Sequence, residues 1–284
     1  MGDAAVSRAV LVTGCSSGIG RASALALARA GWPVWASARD VGTIADLEAA
    51  GCRSLAVDVT DDRALAAAVA SVESEHGAVG VLVNNAGYGL QGPIEETPLD
   101  AVRHQFETNV FAPWRLCQLV LPGMRRQGWG RIVNLSSMGG RLTFPGGGAY
   151  HGSKYAMEAI SDVLRWEVAP FGVAVVAVEP GPTLTAYGEA SLRSMAGVPV
   201  EGPYAAFTSS IRAALESTFR GDGLEGASTP EEVATAVVAA LAADPPPARV
   251  VVGAMAEQLI ALRQSSSEAE WDEIMATMYQ RPIP

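Results

Sequence analysis

"AVLVTGCSSGIG", residues 9–20, joins a short apolar run to a glycine-rich turn, and a helical pattern begins near Arg21. A run of Ala, Val and Leu without polar alternation is typical of a parallel strand, because both faces of such a strand are covered. Glycines in the turn let the backbone approach a pyrophosphate, which then lies on the unpaired N–H groups of the following helix. The stretch therefore predicts a strand, a phosphate-binding turn and a helix, in that order.

Six further apolar runs follow along the chain and alternate with helical patterns. They cover residues 33–38, 54–59, 79–85, 131–137, 173–181 and 249–254. One intervening helix, "DDRALAAAVASVESEHG" (61–77), has acidic residues at its start and a glycine at its end, as helix boundaries often do. This alternation indicates an α/β fold. We expect one Rossmann-type doubly wound domain over residues 1–284, with a seven-stranded parallel sheet and helices on both faces.

Two regions depart from the alternation. Residues 186–229 are rich in Gly, Ser, Ala and Pro, and we expect them to leave the sheet as an excursion that covers the substrate. The chain then returns in a helix with Thr229 as N-cap and Pro230 at the first helical position, where proline is well tolerated. Residues 255–284 form a C-terminal extension with two helical segments, and the sequence indicates no role for it.

Composition excludes several classes of protein. The formal net charge of −10 argues against a nucleic-acid-binding surface. The three cysteines, Cys15, Cys52 and Cys117, are widely spaced, so neither a metal site nor a disulfide framework is predicted. No apolar run reaches the roughly 18 residues that span a bilayer, and the strand pattern begins too early for a signal peptide. We therefore expect a cytoplasmic protein that has no membrane or nucleic-acid partner.

Lys154 is the single lysine of the chain; the other side-chain cations are arginines. A GC-rich genome explains why lysines are scarce but not why this one is kept. Lysine offers a compact ammonium whose pKa shifts readily on burial, which arginine does not. Tyr150 lies four residues earlier, so on a helix the two side chains are neighbours. An adjacent ammonium lowers the pKa of a phenol and so makes it a better proton carrier.

Six motifs share their order and spacing with one known family. They are "TGxxxGIG" at 13–20, "NNAG" at 84–87, Asn109, "SS" at 136–137, Tyr150-xxx-Lys154 and "PGPTLT" at 180–185. In this pattern the chain resembles the short-chain dehydrogenase/reductase family over about residues 8–186. Within the family it is similar to the branch that holds hydroxysteroid and retinol dehydrogenases and many bacterial ketoreductases.

The resemblance implies four catalytic residues. Tyr150 is the expected general acid and base, and Ser137 the expected hydrogen-bond donor to the substrate oxygen. Lys154 is expected to lower the pKa of Tyr150, to hold the nicotinamide ribose and to pass protons. Asn109 is expected to hold the water that connects this lysine to solvent.

The resemblance also implies a nicotinamide cofactor. Ala38 occupies the position where NAD-preferring relatives have an acid, and Arg39 follows. Arginine can hold a 2′-phosphate through two hydrogen bonds, with Ser17 nearby, so NADP(H) is favoured over NAD(H). Asp40 could instead pair with Arg39 or cap a helix. The implied cofactor-binding residues are Gly14, Ser16, Ser17, Gly18, Ile19, Gly20, Arg39, Asp58, Val59, Asn85, Ala86, Gly87, Tyr150, Lys154, Pro180, Gly181, Thr183 and Thr185.

The expected activity is hydride transfer between NADP(H) and a secondary alcohol or ketone. The loop after Ser137, residues 88–96 and the excursion should bound the substrate. Their apolar side chains suggest a hydrophobic or ring-bearing small molecule; they include Tyr88, Leu90, Phe144, Tyr187, Leu192 and Met195.

Two other functions are open. A retired NADP(H)-binding sensor on the same fold would usually lack the tyrosine or lysine. A sugar-nucleotide epimerase or dehydratase would resemble "TGxxGxxG" and have a larger C-terminal domain; both features are absent.

Helices over about 98–126 and 149–170 are expected to pair subunits into a homodimer or homotetramer. The second helix has apolar residues over most of its circumference, and one subunit cannot cover them all. The residues that suggest this are Met157, Ile160, Leu164 and Val168.

Overall fold

A computed structural model describes residues 6–219 and 226–281, which are built around a seven-stranded parallel sheet. The strand order is β3-β2-β1-β4-β5-β6-β7. The strands are β1 (Val10–Val12), β2 (Val34–Ala38), β3 (Arg53–Ala56), β4 (Val81–Asn84), β5 (Gly130–Leu135), β6 (Val173–Pro180) and β7 (Arg249–Val252). Each of the seven apolar runs overlaps one of these strands, which confirms the predicted sheet.

Helices follow or precede each strand. They are α1 (Gly18–Arg29), α2 (Asp62–His76), α3 (Leu99–Phe106), α4 (Ala112–Gln127), α5 (Gly148–Val168), α6 (Tyr187–Ser194), α7 (Ala205–Phe219), α8 (Pro230–Ala242), α9 (Ala254–Ser265) and α10 (Glu268–Met278). Between α3 and α4 the chain continues through a π-helical segment, Glu107–Phe111. Two 3₁₀ segments, Val41–Ala50 after β2 and Met138–Gly140 after β5, are also present.

Each face of the sheet carries its own apolar core, since side chains alternate along a strand. On β1, Val10 and Val12 contribute to one core and Leu11 contributes to the other. The first core includes Leu27 of α1 and Val237 of α8, and the second includes residues of α2, α4 and α5. Helices therefore cover both faces, and the doubly wound arrangement is confirmed.

The strand order reverses between β1 and β4, and such a switch point opens a crevice at the carboxyl ends of the strands. The glycine-rich turn after β1 meets "NNAG" after β4 at this point. The Thr13 hydroxyl accepts the backbone N–H groups of Asn85 and Ala86, both at 3.0 Å. The Asn85 side chain donates to the carbonyls of Thr13 (2.8 Å) and Gly14 (3.1 Å). These bonds hold the two turns together.

The predicted excursion leaves the sheet as expected and contains α6 and α7. Residues 220–225 of it lie outside the described part of the chain, as do residues 1–5 and 282–284. Thr229 caps α8 in a reciprocal capping box with Glu232, and Pro230 is its first residue, as predicted. In the tail, α9 and α10 pack with Leu142 through Ile260, Trp271 and Met275. None of the described helices is long and apolar enough to cross a membrane.

Candidate active site

The turn after β1 has the form of a phosphate cradle. Gly14 and Gly18 have φ values of +72° and +56°, in the left-handed region that glycine adopts most easily. The helix α1 starts at Gly18, and the side chain of its N-cap, Ser17, makes no capping hydrogen bond. Both residues line a cleft. The Ser17 hydroxyl and the first N–H groups of α1 are thus suited to hold an anion.

The cleft has a volume of about 680 Å³ and collects most of the predicted cofactor-binding residues. These are Gly14, Ser16, Ser17, Gly18, Ile19, Arg39, Asp58, Val59, Asn85, Ala86, Gly87, Tyr150, Lys154, Pro180 and Thr185. Gly20 lies behind them within α1, where a Cβ would overlap the Asn85 side chain and the Gly14 carbonyl. Gly181 and Thr183 line a neighbouring cavity instead. The set fits an elongated dinucleotide, with its phosphates at the glycine turn.

Arg39 is exposed and lines the end of the cleft beside Asp58. Of the two roles open to Asp40, the structure shows the cap: its Oδ1 accepts the N–H of Gly42 at 2.8 Å. The N–H and hydroxyl of Thr60 hold the pKa of Asp58 below its ordinary value, and the charge of Arg39 contributes in the same direction. An arginine at this position is suited to hold a phosphate.

A second cavity, of about 240 Å³, adjoins the cleft. The two share a wall that consists of Ile19, Ser136, Tyr150, Pro180, Thr185 and Tyr187. Ser137 lines the second cavity at its polar end, near Tyr150. Tyr150 is therefore accessible both from the place of a bound dinucleotide and from the place of a second molecule.

The Tyr150 phenol faces two hydroxyls, those of Ser137 and Tyr187. Burial raises the pKa of Tyr150 above its ordinary value, and hydrogen bonds from these two hydroxyls oppose that rise. The pKa rises because burial destabilises the phenolate more than its neighbours stabilise it. Lys154 is not among the groups that shift this pKa in the structure, so its effect on Tyr150 stays a prediction.

Lys154 is buried, and its Nζ donates to the backbone carbonyl of Leu135 at 2.7 Å. The Nζ lies 5.9 Å from the centroid of the Tyr150 ring, so the two side chains are neighbours, as the four-residue spacing predicts. Burial lowers the pKa of Lys154 to about 8, against the opposing charge of Glu158. Since this value is close to neutral pH, Lys154 can both release and accept a proton under ordinary conditions.

Asn109 lies at the middle of the π-helical segment, and π-helical turns occur often at functional sites. Its side chain is buried, donates to the Tyr88 carbonyl and the Ser153 hydroxyl (both 3.0 Å), and accepts the Tyr88 N–H (3.2 Å). It lies below the cleft and fixes the 88–92 loop to α5. Its role in holding a water stays a prediction.

Comparison with known proteins identifies the family to which this arrangement belongs. The family profile described as short chain dehydrogenase matches residues 8–196. The chain belongs to the short-chain dehydrogenase family. It is 33% identical over 264 residues to "Probable short-chain type dehydrogenase/reductase VdlC" of Helicobacter pylori, covering 93% of this chain and 95% of that one. It is 39% identical over 194 residues to human "Retinol dehydrogenase 8", covering 65% and 61% of the two chains.

Among solved structures, a short-chain dehydrogenase from Streptomyces avermitilis superposes with a TM-score of 0.78. It is 34% identical and the match covers 95% of this chain and 98% of the other. Short-chain dehydrogenases are oxidoreductases that use NAD(H) or NADP(H). The cleft is thus the candidate site for such a cofactor, and the shared wall is the candidate reaction centre.

His151, which follows the tyrosine, is a structural residue of this short-chain dehydrogenase. Its Nε2 accepts the N–H of Phe144 at 3.0 Å, and its Nδ1 lies 2.9 Å from the Gly139 carbonyl. Burial lowers its pKa, so the ring is neutral at pH 7 with the proton on Nδ1. The imidazole thereby ties the loop after Ser137 to α5.

Only some of the apolar residues that the sequence predicts around the substrate line the second cavity. Phe144 and Tyr187 line it, and Tyr88 lines the cleft instead. Leu90, Leu192 and Met195 are buried in the interior and do not line it. An apolar sequence pattern alone does not distinguish a core residue from one that lines a cavity.

The residues that the sequence did not indicate come from α7 and the tail. They are Ile211, Ala214, Leu215, Thr218, Phe219, Met255, Leu259, Met278 and Tyr279. The spacing of Met255 and Leu259 places them on one face of a helix, and this is the one signal that could have indicated them. The tail therefore forms a wall of the cavity.

Proposed function

We propose that this short-chain dehydrogenase is an NADP(H)-dependent enzyme that interconverts a secondary alcohol and a ketone on a hydrophobic small molecule. The observation that carries the proposal is the position of Tyr150, in the wall shared by a dinucleotide cleft and an apolar cavity. A proton carrier at this junction can reach a substrate oxygen whose carbon faces the cofactor.

The bound nicotinamide supplies or accepts the hydride. In ketone reduction the Tyr150 hydroxyl gives its proton to the substrate oxygen, and Ser137 donates a hydrogen bond to the same oxygen. Lys154, with a pKa of about 8, then returns a proton to Tyr150. In alcohol oxidation Tyr150 acts as the base, and the protons move in the opposite direction.

The lining of the second cavity favours an uncharged, largely apolar substrate. The described residues that line it include no Asp, Glu, Lys or Arg. Burying a charge without a partner is strongly unfavourable, so a charged group on the substrate would be rejected. The similarity to a protein named retinol dehydrogenase supports an alcohol or ketone carried on a hydrocarbon frame.

A panel of ketones for the reduction, with the matching alcohols for the reverse oxidation, tests the function. We expect turnover of bulky apolar ketones with NADPH, followed by the change in nicotinamide absorbance, and little turnover of matched keto acids. Absence of turnover with every ketone and alcohol, in protein that binds NADPH, would instead support the retired sensor.

Cofactor preference depends on Arg39 in this proposal. Arg39→Asp, alone and with Ala38→Asp, is expected to weaken NADPH binding relative to NADH. The lost charge-assisted contact is worth about 1.5–3 kcal/mol, or about 10- to 150-fold in the ratio of Kd values. Titration of each cofactor against protein fluorescence measures that ratio.

Arg53→Asp is the matched control, because Arg53 is exposed but pairs with Glu75 away from the cleft. This variant should leave the ratio unchanged. A ratio that also stays constant in Arg39→Asp would show that the 2′-phosphate is held elsewhere.

We also propose that subunits pair through the outer surfaces of α4 and α5. The apolar residues named from the sequence do not form this surface: Met157 and Val168 are buried, and Ile160 and Leu164 are half-buried within the subunit. Other apolar side chains remain largely exposed on these helices and at Phe111, the residue before α4; they are Phe111 (53%), Trp114 (51%), Val163 (57%) and Trp166 (75%). Exposed apolar residues concentrated in this way are typical of an interface.

Light scattering at micromolar concentration should show a dimer or tetramer for the wild type. Trp166→Glu should move the protein toward smaller species, since it places a charge in the proposed interface. Ile94→Glu changes an even more exposed residue, 84%, outside these helices and should have no effect. A monomeric wild type would overturn the proposal.

A further inference from the structure

Tyr187 is the first residue of α6, the helix with which the excursion begins. Its ring packs against the ring of Tyr150, with centroids 5.5 Å apart and planes at 54°. It also lies in the wall shared by the cleft and the second cavity. The excursion therefore brings a second phenol to the reaction centre, 37 positions after the "YxxxK" motif begins.

Contacts on three sides hold this side chain in place. The backbone N–H of Tyr187 donates to the Thr185 hydroxyl at 3.1 Å. The Phe219 ring packs on it with centroids 5.9 Å apart. Its hydroxyl lies between the Ser191 hydroxyl and Gly89, where a Cβ would overlap the phenol oxygen. The Tyr187 oxygen thus has little freedom to move.

The hydroxyls of three side chains lie close together here. The buried Ser191 side chain lies beside the Tyr187 oxygen, and the Tyr187 hydroxyl faces that of Tyr150. The nearest ammonium, Lys154 Nζ, is instead directed to the Leu135 carbonyl. The hydroxyls that face Tyr150 are therefore those of Ser137 and Tyr187, whereas the lysine ammonium is directed elsewhere.

We propose that Tyr187 is a positioning residue of the reaction, which fixes the Tyr150 hydroxyl and stabilises its phenolate by donating a hydrogen bond to it. The proposal rests on the proposed role of Tyr150 as acid and base. A donor to the phenolate favours its charged form, so Tyr187 supplies part of the effect that the sequence assigns to Lys154 alone.

Other groups also lie near Tyr150. His151 and Lys154 face it from α5, and Ser137 faces it from the end of β5. Lys154 in turn is influenced by Glu158, which pairs with Arg249 at 3.0 Å. His151 is neutral because of its burial and its bond from Phe144. Substitutions at Tyr187 and Gly89 leave all of these side chains in place.

The pH dependence of alcohol oxidation tests the proposal. Oxidation requires the phenolate, so kcat rises with pH to a plateau. In Tyr187→Phe the rise should move to higher pH by about one to two units, while the plateau and the KM stay near those of the wild type. Below the rise, kcat should be about 10- to 100-fold lower than in the wild type.

Gly89→Ala is the second variant. The φ of Gly89 does not lie in the left-handed region, so the backbone accepts an alanine there. The added Cβ would displace the Tyr187 hydroxyl. We expect a shift in the same direction. Tyr155→Phe is the matched control, because Tyr155 lies on α5 but lines neither the cleft nor the second cavity, and its profile should coincide with that of the wild type.

The proposal would be overturned if kcat of Tyr187→Phe rises at the same pH as that of the wild type, or if this variant is inactive at every pH. If that variant does not fold, the proposal would be overturned by a Gly89→Ala variant whose kcat rises at the same pH as that of the wild type. Failure of the proposed function is distinguishable, because it would appear as activity retained by Tyr150→Phe.

Discussion

Tyr150→Phe is expected to lower turnover by about 10²–10⁴-fold, the usual contribution of a general acid or base, with near-normal affinity for NADPH. The change removes one oxygen and leaves the ring that packs against Tyr187 and His151. Without the hydroxyl the substrate oxygen loses its proposed proton donor, and Lys154 cannot replace it, since its ammonium is directed to the Leu135 carbonyl. The substitution should therefore lower the turnover rate without lowering the affinity for NADPH.

Steady-state rates on the best ketone measure the loss, and a fluorescence titration of NADPH measures the binding. Tyr155→Phe is the matched control: it makes the same chemical change five residues further along α5, at a side chain that is 43% exposed. It should keep wild-type rates. If Tyr150→Phe retains more than about a tenth of wild-type turnover, well outside the range for proton transfer, Tyr150 is not the acid.

Lys154→Arg is expected to lose most activity although it keeps the charge. The lysine occupies a buried space in which one small ammonium reaches one carbonyl, and its pKa of about 8 lets it exchange protons. A guanidinium is wider and does not deprotonate, so it can neither fit the same contact nor return a proton to Tyr150. Rates over a range of pH, with thermal unfolding as a check on folding, measure the effect.

The control is Arg165→Lys, which makes the reverse exchange near the end of the same helix, at an ion pair with Asp162. It should have wild-type rates. Because the sequence has a single lysine, a lysine-selective reagent gives a second readout: it should abolish activity, and NADPH should protect. Near wild-type turnover in Lys154→Arg would show that the lysine is a remnant of codon bias.

Local patterns were enough to predict the features that depend on neighbours in the chain. The seven apolar runs, the glycine turn after β1 and the cap of α8 at Thr229 all follow from spacing within a few residues. The Tyr150–Lys154 pair belongs to the same class, since four residues make one turn of a helix.

Features that depend on distant segments could not be predicted. Asp40 could cap or pair, and only the path of the chain after β2 shows that it caps. The residues that line the substrate cavity from α7 and the tail have the same apolar character as core residues, so their place is decided by packing between segments that are far apart in sequence.

The sequence by itself determined the fold, the glycine-rich turn and the close placement of Tyr150 and Lys154, because these depend on helix and strand periodicity. The tertiary structure alone decided how strongly Tyr150 holds its proton. Burial raises the pKa of Tyr150, and hydroxyls from the end of β5 and from α6 oppose that rise. Desolvation and hydrogen bonding act through space, so a phenol's environment is set by whichever segments fold around it.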